Sequence, residues 1–393
     1  MHPAPDPAIQ TGPLAGLRII EVAGLGAAPF CGMMLADMGA EVIRIDRPGG
    51  GLHGEHDPLT RGRKSVIVDL KRRRGVELLL RLADNAHALF EAFRPGVAER
   101  LGFGPDTCLE RNPRLVYGRL TGWGQDGPLA STSGHDINYI ALSGALHAIG
   151  PKGGKPVPPL NLVGDFGGGG MLLAFGLVCA LFESQHSGRG QVVDAAMIDG
   201  ALALMALSFG MQATGHFSGA TGADLFSGAA PFYDTYETKD GRHVAVGALE
   251  PPFFRQLLEV LDIDPQRFAE AGFRGPDLPM DTSRWPELRR LMQAAFRTRT
   301  RDQWQARFDQ TDCCVTPVLS LRETADHPHN RARSAVHDVA GIPQNGPAPR
   351  FSRTGTGPPL PPPAPGRDTD DVLCEAGMDL HEINELRAAG VIA

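Results

Sequence analysis

Residues 17–46 read LRIIEVAGLGAAPFCGMMLADMGAEVIRID. Residues 17–22 form an apolar, β-branched run, and Gly24 and Gly26 follow it. Residues 30–38 have a helical pattern that stops at Gly39, and residues 41–46 are β-branched again. Short apolar runs bounded by glycine read as strands, so the stretch is strand, turn, helix, strand. This is a βαβ unit, and its strands must lie parallel. The pattern continues, with strands expected over 65–70, 88–92 and 115–121 and a helix over 73–85. Such alternation predicts an α/β fold with a Rossmann-like large domain built on a parallel sheet.

The turn after the first strand invites a dinucleotide reading, with Asp46 standing where a ribose-binding acid would. The fingerprint G-x-G-x-x-G fails at its third glycine, which is Pro29 here. An NAD-dependent oxidoreductase is therefore disfavoured. Arg44 and Arg47 flank Asp46, Arg61, Arg63 and Lys64 follow, and Arg94 and Arg100 lie beyond the fourth strand. Guanidinium groups at strand C-termini suit a multiply phosphorylated ligand, because each presents paired donors to phosphate oxygens.

Beyond residue 190 the character changes. Residues 195–215 read as one long helix. Residues 233–238 and 243–248 read as two strands, joined through Lys239-Asp240-Gly241, a strong hairpin signal. Amphipathic helices are expected over 252–261 and 285–310, giving a smaller α+β domain. Residues 354–365, TGTGPPLPPPAP, read as a polyproline connector. Helical periodicity resumes at 370–389, with Asp379 a candidate cap.

Composition excludes several classes. The chain has 393 residues, 49 of them glycine, and a net charge of −7, which argues against a nucleic-acid groove or a polybasic membrane surface. The six cysteines include no C-x-x-C, so buried thiols of a reducing cytoplasm are expected rather than a disulfide framework or a metal site. The proline-rich start shows no secretory signal. The longest apolar run, 171–182, is too short for a membrane span and reads as a buried core helix.

Three segments carry candidate chemistry. Gly134-His135-Asp136-Ile137-Asn138-Tyr139 crosses a loop-to-helix junction. Asp165 precedes Gly167 to Gly170, which open an apolar helix from Met171. Glu250 follows the second hairpin strand. His135 and Asp165 would both lie near helix N-termini, where unpaired amides stabilise an anion. Either one alone could be a core histidine or a plain cap. The four glycines are expected to admit a ligand or another backbone at close range, so that valine there would harm catalysis more than folding.

Several strings resemble the type III CoA-transferase superfamily, and within it the 2-methylacyl-CoA racemase family. They are 12–18 (GPLAGLR), 39–48 (GAEVIRIDRP), 68–71 (VDLK), 94–97 (RPGV), 134–139 (GHDINY), 164–169 (GDFGGG), 190–197 (GQVVDAAM) and 231–250. The resemblance implies that 1–190 is the large CoA-binding domain and 191–223 a linker helix. It makes 224–320 the small domain and 321–393 a return segment completing the large one. It also implies an interlocked homodimer whose sites lie between the large domain of one chain and the small domain of the other. Coenzyme A would enter as part of the thioester substrate, with no separate cofactor. Its ADP would lie against Arg47, Val68, Asp69, Leu70, Arg94 and Arg100, and Gly134, Asp136, Ile137, Asn138 and Tyr139 would flank the thioester. His135 and Asp165 would be the two catalytic bases, and Glu250 would pair with the histidine.

Racemising a 2-methylacyl thioester removes a weakly acidic α-proton and returns one to the opposite face. Two bases on opposite sides of the carbon achieve this, and the enolate oxygen needs donors where charge develops. The alternative is a CoA-transferase, in which Asp165 attacks the thioester and carries CoA covalently. A catalytically silent acyl-CoA binder is a third reading, disfavoured because all three acid–base candidates are present.

Overall fold

A computed structural model describes residues 11–50, 57–274 and 281–393. The chain divides into two units: Met1–Ser143 with Leu160–Leu204 and Ala325–Ala393, and Gly144–Pro159 with Met205–Thr324.

The first unit is built on a six-stranded sheet of β1 (Arg18–Val22), β2 (Glu41–Asp46), β3 (Arg63–Ile67), β4 (Ala88–Glu91), β5 (Val116–Thr121) and β6 (Val192–Ala196). Their spatial order is β3-β2-β1-β4-β5-β6, and every pairing is parallel. Both faces are covered, so consecutive residues point into different cores. Ile19, Val42 and Phe90 pack with α1 (Ala27–Asp37) on one side. Ile20, Ile43 and Leu89 pack with α2 (Arg73–Ala83) on the other. Burial on both faces explains why the strands read as continuous apolar runs rather than alternating ones. The last helices, Thr369–Glu375 and Leu380–Ala388, join the α2 side through Val372, Leu373, Ile383 and Leu386. Asp379 caps the second of them by accepting from the Glu382 amide at 2.8 Å. The proline stretch 354–365 forms neither helix nor strand.

The second unit has a three-stranded antiparallel sheet, β7 (Tyr233–Glu237), β8 (His243–Gly247) and β9 (Val315–Pro317), in that order. The expected hairpin is present. Its core gathers Phe232, Tyr236, Phe254, Phe296 and Trp304.

Three expectations need correction. Residues 195–215 are not one helix: 192–196 form β6, and the helix that follows breaks at Met205. Ala195 and Ala196 are good helix formers, but pairing with β5 along Tyr117–Thr121 overrides that propensity. The single helix expected over 285–310 is two, Trp285–Phe296 and Arg301–Phe308, the second started by Thr300 in a capping box with Gln303. The apolar helix does not begin at Met171. Leu162–Met171 is a π-helix that runs directly into α3 (Leu172–Ser187).

Together these last two elements span 26 residues, and their most apolar 18-residue window has a mean hydropathy of 1.7. Leu173 and Leu177 lie on the sheet, where a Cβ on Gly118 would come within 3.0 Å of each. The expectation of a buried core helix holds for one side only. Met171, Phe175, Val178 and Phe182 recur at spacings of four, three and four residues and are 50%, 68%, 39% and 65% exposed. One helical stripe is therefore left uncovered by the chain. The thiols also differ from expectation: all six are unpaired, but Cys179, Cys314 and Cys374 are exposed.

Candidate active site

Strand order reverses at β1, whose neighbours β2 and β4 lead the chain away in opposite directions. In such sheets the crevice beyond the strand C-termini at this point receives ligands. Here it is formed by the turn after β1 and the loop after β4. A Cβ on Gly24 would sit 3.3 Å from the Ala92 Cβ, so the two segments touch. Gly26 caps α1 with φ 62°, a conformation that favours glycine.

Asp165 stands over this turn, its Oδ2 3.3 Å from where a Gly26 Cβ would be. It lies in the first turn of the π-helix and is half-buried. Asn161 Nδ2 donates to its Oδ2 at 3.2 Å, and its own amide donates to Asp136 Oδ2 at 2.7 Å. Burial pushes the Asp165 carboxyl above the usual carboxylate range. The Asn161 bond opposes the shift, nearby Asp136 adds to it, and nearby His135 opposes it.

His135 is the exposed N-cap residue of the helix Asp136–Leu142, and its amide donates to Asn138 Oδ1 at 3.0 Å. The first amides bonded within that helix are those of Asn138 and Tyr139. The Asp136 and Ile137 amides have no partner among the described residues and form an anion-favouring pair at the helix start. Tyr139 turns back to donate from its hydroxyl to the Gly134 carbonyl, and its ring meets Trp123 edge-on at 4.8 Å. A side chain at Gly122 or Gly134 would collide with that ring. Burial pushes the Tyr139 phenol up, Asp165 and Asp136 add to the shift, and Arg94 opposes it. One patch at the sheet's C-terminal edge thus gathers Gly134, His135, Asp136, Asn138, Tyr139, Asp165 and, electrostatically, Arg94. Ile137 lies on the same helix, 44% exposed.

The basic cluster separates into two sets. Arg44, Arg61, Arg63 and Lys64 are internal partners. Arg63 is buried against Glu21 at 3.1 Å, and Arg44 holds Glu21 at 2.8 Å and Asp46 at 2.9 Å. Arg61 holds Asp37 at 2.5 Å, and Lys64 holds Glu41 at 2.7 Å. Each of these groups is already committed to carboxylates of the chain itself, which corrects the charge-based reading. Arg47, Arg94 and Arg100 are exposed and make no ion pair among the described residues. They follow β2 and β4 on the ligand-facing edge. Val68 and Asp69 continue that edge after β3. The Val68 side chain is buried, and the Asp69 carboxylate is held by the Lys71 amide and Arg72. Leu70 is half-buried beside them.

The glycine run serves packing rather than ligand approach. A Cβ on Gly168 would lie 2.8 Å from Ala201 N and 2.9 Å from Met197 O, and one on Gly170 2.6 Å from Ala27 O. Gly200 answers from the other helix, its Cβ position 1.9 Å from Gly168 O. Of the two occupants considered for this space, it is backbone that fills it, and larger residues would damage folding first.

Glu250 belongs to the second unit, as the exposed N-cap of the helix Pro251–Val260. Asn161 is a site residue to which no role was assigned from sequence. Its spacing of four residues before Asp165 was the available signal. No cluster of metal-binding side chains occurs among the described residues.

The family described as CoA-transferase family III matches residues 14–369. An alpha-methylacyl-CoA racemase of Mus musculus is 44% identical over 383 residues, 96% of this chain and 97% of the relative. One of Homo sapiens is 40% identical over 391 residues, with the same shares covered. The crystal structure of a CAIB/BAIF family protein from Brucella suis aligns over 93% of this chain and 100% of its own, with TM-score 0.79 and 23% identity, a likeness of fold.

Proposed function

This chain belongs to CoA-transferase family III, and we propose that it is a racemase interconverting (2R)- and (2S)-2-methylacyl-CoA thioesters through an enolate. The observation that carries this reading is the meeting of two bases of different kind, His135 and Asp165, beside unpartnered helix-start amides. One base, unprotonated, takes the α-proton from one face. The other, protonated, returns a proton to the opposite face, and the pair exchange states for the reverse reaction. Partial burial brings the Asp165 carboxyl closer in basicity to an imidazole, which narrows the difference in driving force between the two transfers, while the enolate itself needs separate stabilisation. The Asp136 and Ile137 amides are the donors offered to the enolate oxygen.

In this reading the thioester passes between Gly134, Asp136, Ile137, Asn138 and Tyr139. The CoA phosphates take the free guanidiniums of Arg47, Arg94 and Arg100, and the backbone of Val68, Asp69 and Leu70 receives the adenosine part. No separate cofactor is invoked. Glu250 pairs with a histidine across a homodimer. The exposed stripe Met171, Phe175, Val178, Phe182 supports a second copy as its cover. Six unpaired thiols and a net charge of −7 support a cytoplasmic setting without nucleic-acid or membrane partners.

The test is one pure epimer of a 2-methylacyl-CoA in deuterated water, followed by chiral analysis. The wild type should give both epimers with deuterium at C2. His135→Ala and Asp165→Ala should each abolish racemisation, while either variant can still exchange the α-proton from a single face. Full racemisation by either variant would sink the two-base scheme. Hydroxylamine trapping of an aspartyl thioester at Asp165 would make the chain a transferase instead.

A further inference from the structure

Asp136 is 6% exposed, and only one of its carboxylate oxygens has a partner. Oδ2 accepts the Asp165 amide at 2.7 Å, whereas Oδ1 is buried with no hydrogen bond. An unbonded buried carboxylate oxygen is costly, so the arrangement needs a reason. The chain also makes room for it. A Cβ on Gly164 would lie 2.6 Å from Asp136 Oδ2 and 3.2 Å from its Cα, so only glycine allows this approach. Asp136 is sequence neighbour to one proposed base and bonded to the backbone of the other.

We propose that the Asp136 carboxylate is a positioning residue that ties the two bases together, fixing the Asp165 backbone to the helix start that carries His135. The inference rests on the racemase reading for the meaning of the two bases, but not for the contact itself. The carboxylate acts in two ways. By its bond it sets the place from which Asp165 works, and misplacement of about 1 Å can cost about 10²-fold in rate. By its charge it makes Asp165 a stronger base, because a second negative charge close by disfavours ionisation. The other titratable groups around Asp165 are His135 and Tyr139, with Arg94 acting on Tyr139. None of these replaces the Asp136 bond to the Asp165 amide.

Three variants separate the bond from the charge. Asp136→Asn keeps an acceptor for the Asp165 amide but removes the charge. Asp136→Ala removes both. Gly164→Ala leaves Asp136 intact and forces it away. The Asp165 carboxyl is followed by carbon-13 NMR titration on aspartate-labelled protein, with Asp165→Asn identifying its signal and no substrate present. In Asp136→Asn that titration should move to lower pH. The acid limb of C2 deuterium exchange should move with it in the direction where Asp165 withdraws the proton. Asp136→Ala and Gly164→Ala should lower kcat about 10–100-fold with KM within about twofold, and Asp136→Asn should recover part of the loss. An unmoved Asp165 titration in Asp136→Asn, or full kcat in Asp136→Ala, would overturn the proposal. A wild type with no exchange at C2 would defeat the racemase reading alone, and the substrate-free titration would still decide the role of Asp136.

Discussion

Arg44 and Arg63 resemble Arg47 and Arg94 in sequence: all four lie in or just after the strands β2, β3 and β4 of one parallel sheet. Their surroundings differ completely. The first pair lies inside, around the buried Glu21, and Arg63 also donates to the Pro29 carbonyl in the turn where a dinucleotide fingerprint fails. The second pair points out from the edge with no partner among the described residues. A buried guanidinium is there because its carboxylate is, and an exposed, unpaired one is available to something else. Arginine at a strand end is therefore informative about ligands only when the interior has no carboxylate to claim it.

That contrast can be broken most forcefully at Arg63. Arg63→Ala should cost about 3–5 kcal/mol, because Glu21 is left as a buried charge with one fewer partner. Urea unfolding would measure it, and a variant of unchanged midpoint would show that the interior network is dispensable. The next effect concerns Glu91, at the end of β4, whose carboxyl burial pushes up to about 7, against opposing help from the Phe93 amide and Arg119. Between its ordinary range and about pH 7 the folded chain holds a proton that the unfolded chain has released. Stability should therefore fall as pH rises through that window. Glu91→Gln should flatten the difference in urea midpoint between pH 5 and pH 8. A slope as steep as the wild type's would place the dependence elsewhere.

At the outer edge the expected losses are smaller and of another kind. Arg94→Ala should raise KM for an acyl-CoA about tenfold, the loss of roughly one charged phosphate contact, with the unfolding midpoint unchanged. Arg47→Ala and Arg100→Ala should each cost a few-fold, an effect that shrinks as salt is added. A loss of stability in these variants would erase the distinction between the two sets.

Much of the first unit was legible because its signals are local. Glycine-bounded β-branched runs named five of the six strands, and their alternation with helices named the parallel sheet. β6 was missed because alanines that favour a helix are held in a strand by β5, a neighbour more than seventy residues away. His135, Asp165 and the 134–139 string were found by residue type, position at helix starts and family likeness. The binding role of Asp136 toward Asp165 was not, because a hydrogen bond from a backbone amide leaves no mark in residue type, and the side-chain bond of Asn161 to Asp165 was signalled only by its spacing. The glycines show the same limit from the other side. Their number advertised close approach, but only coordinates reveal that the approaching group is the helix beginning at Met197.

The π-helix at 162–171 also acts as an angular spacer. Each residue in an α-helix turns the chain by about 100°. Asp165 must face the turn after β1, while Leu173 and Leu177, about two and three turns further along, must face the sheet. The wider turn sets the phase between these two directions. Deleting a single glycine from the run would swing base and anchor out of register by about a quarter turn, even if every remaining residue kept its chemistry.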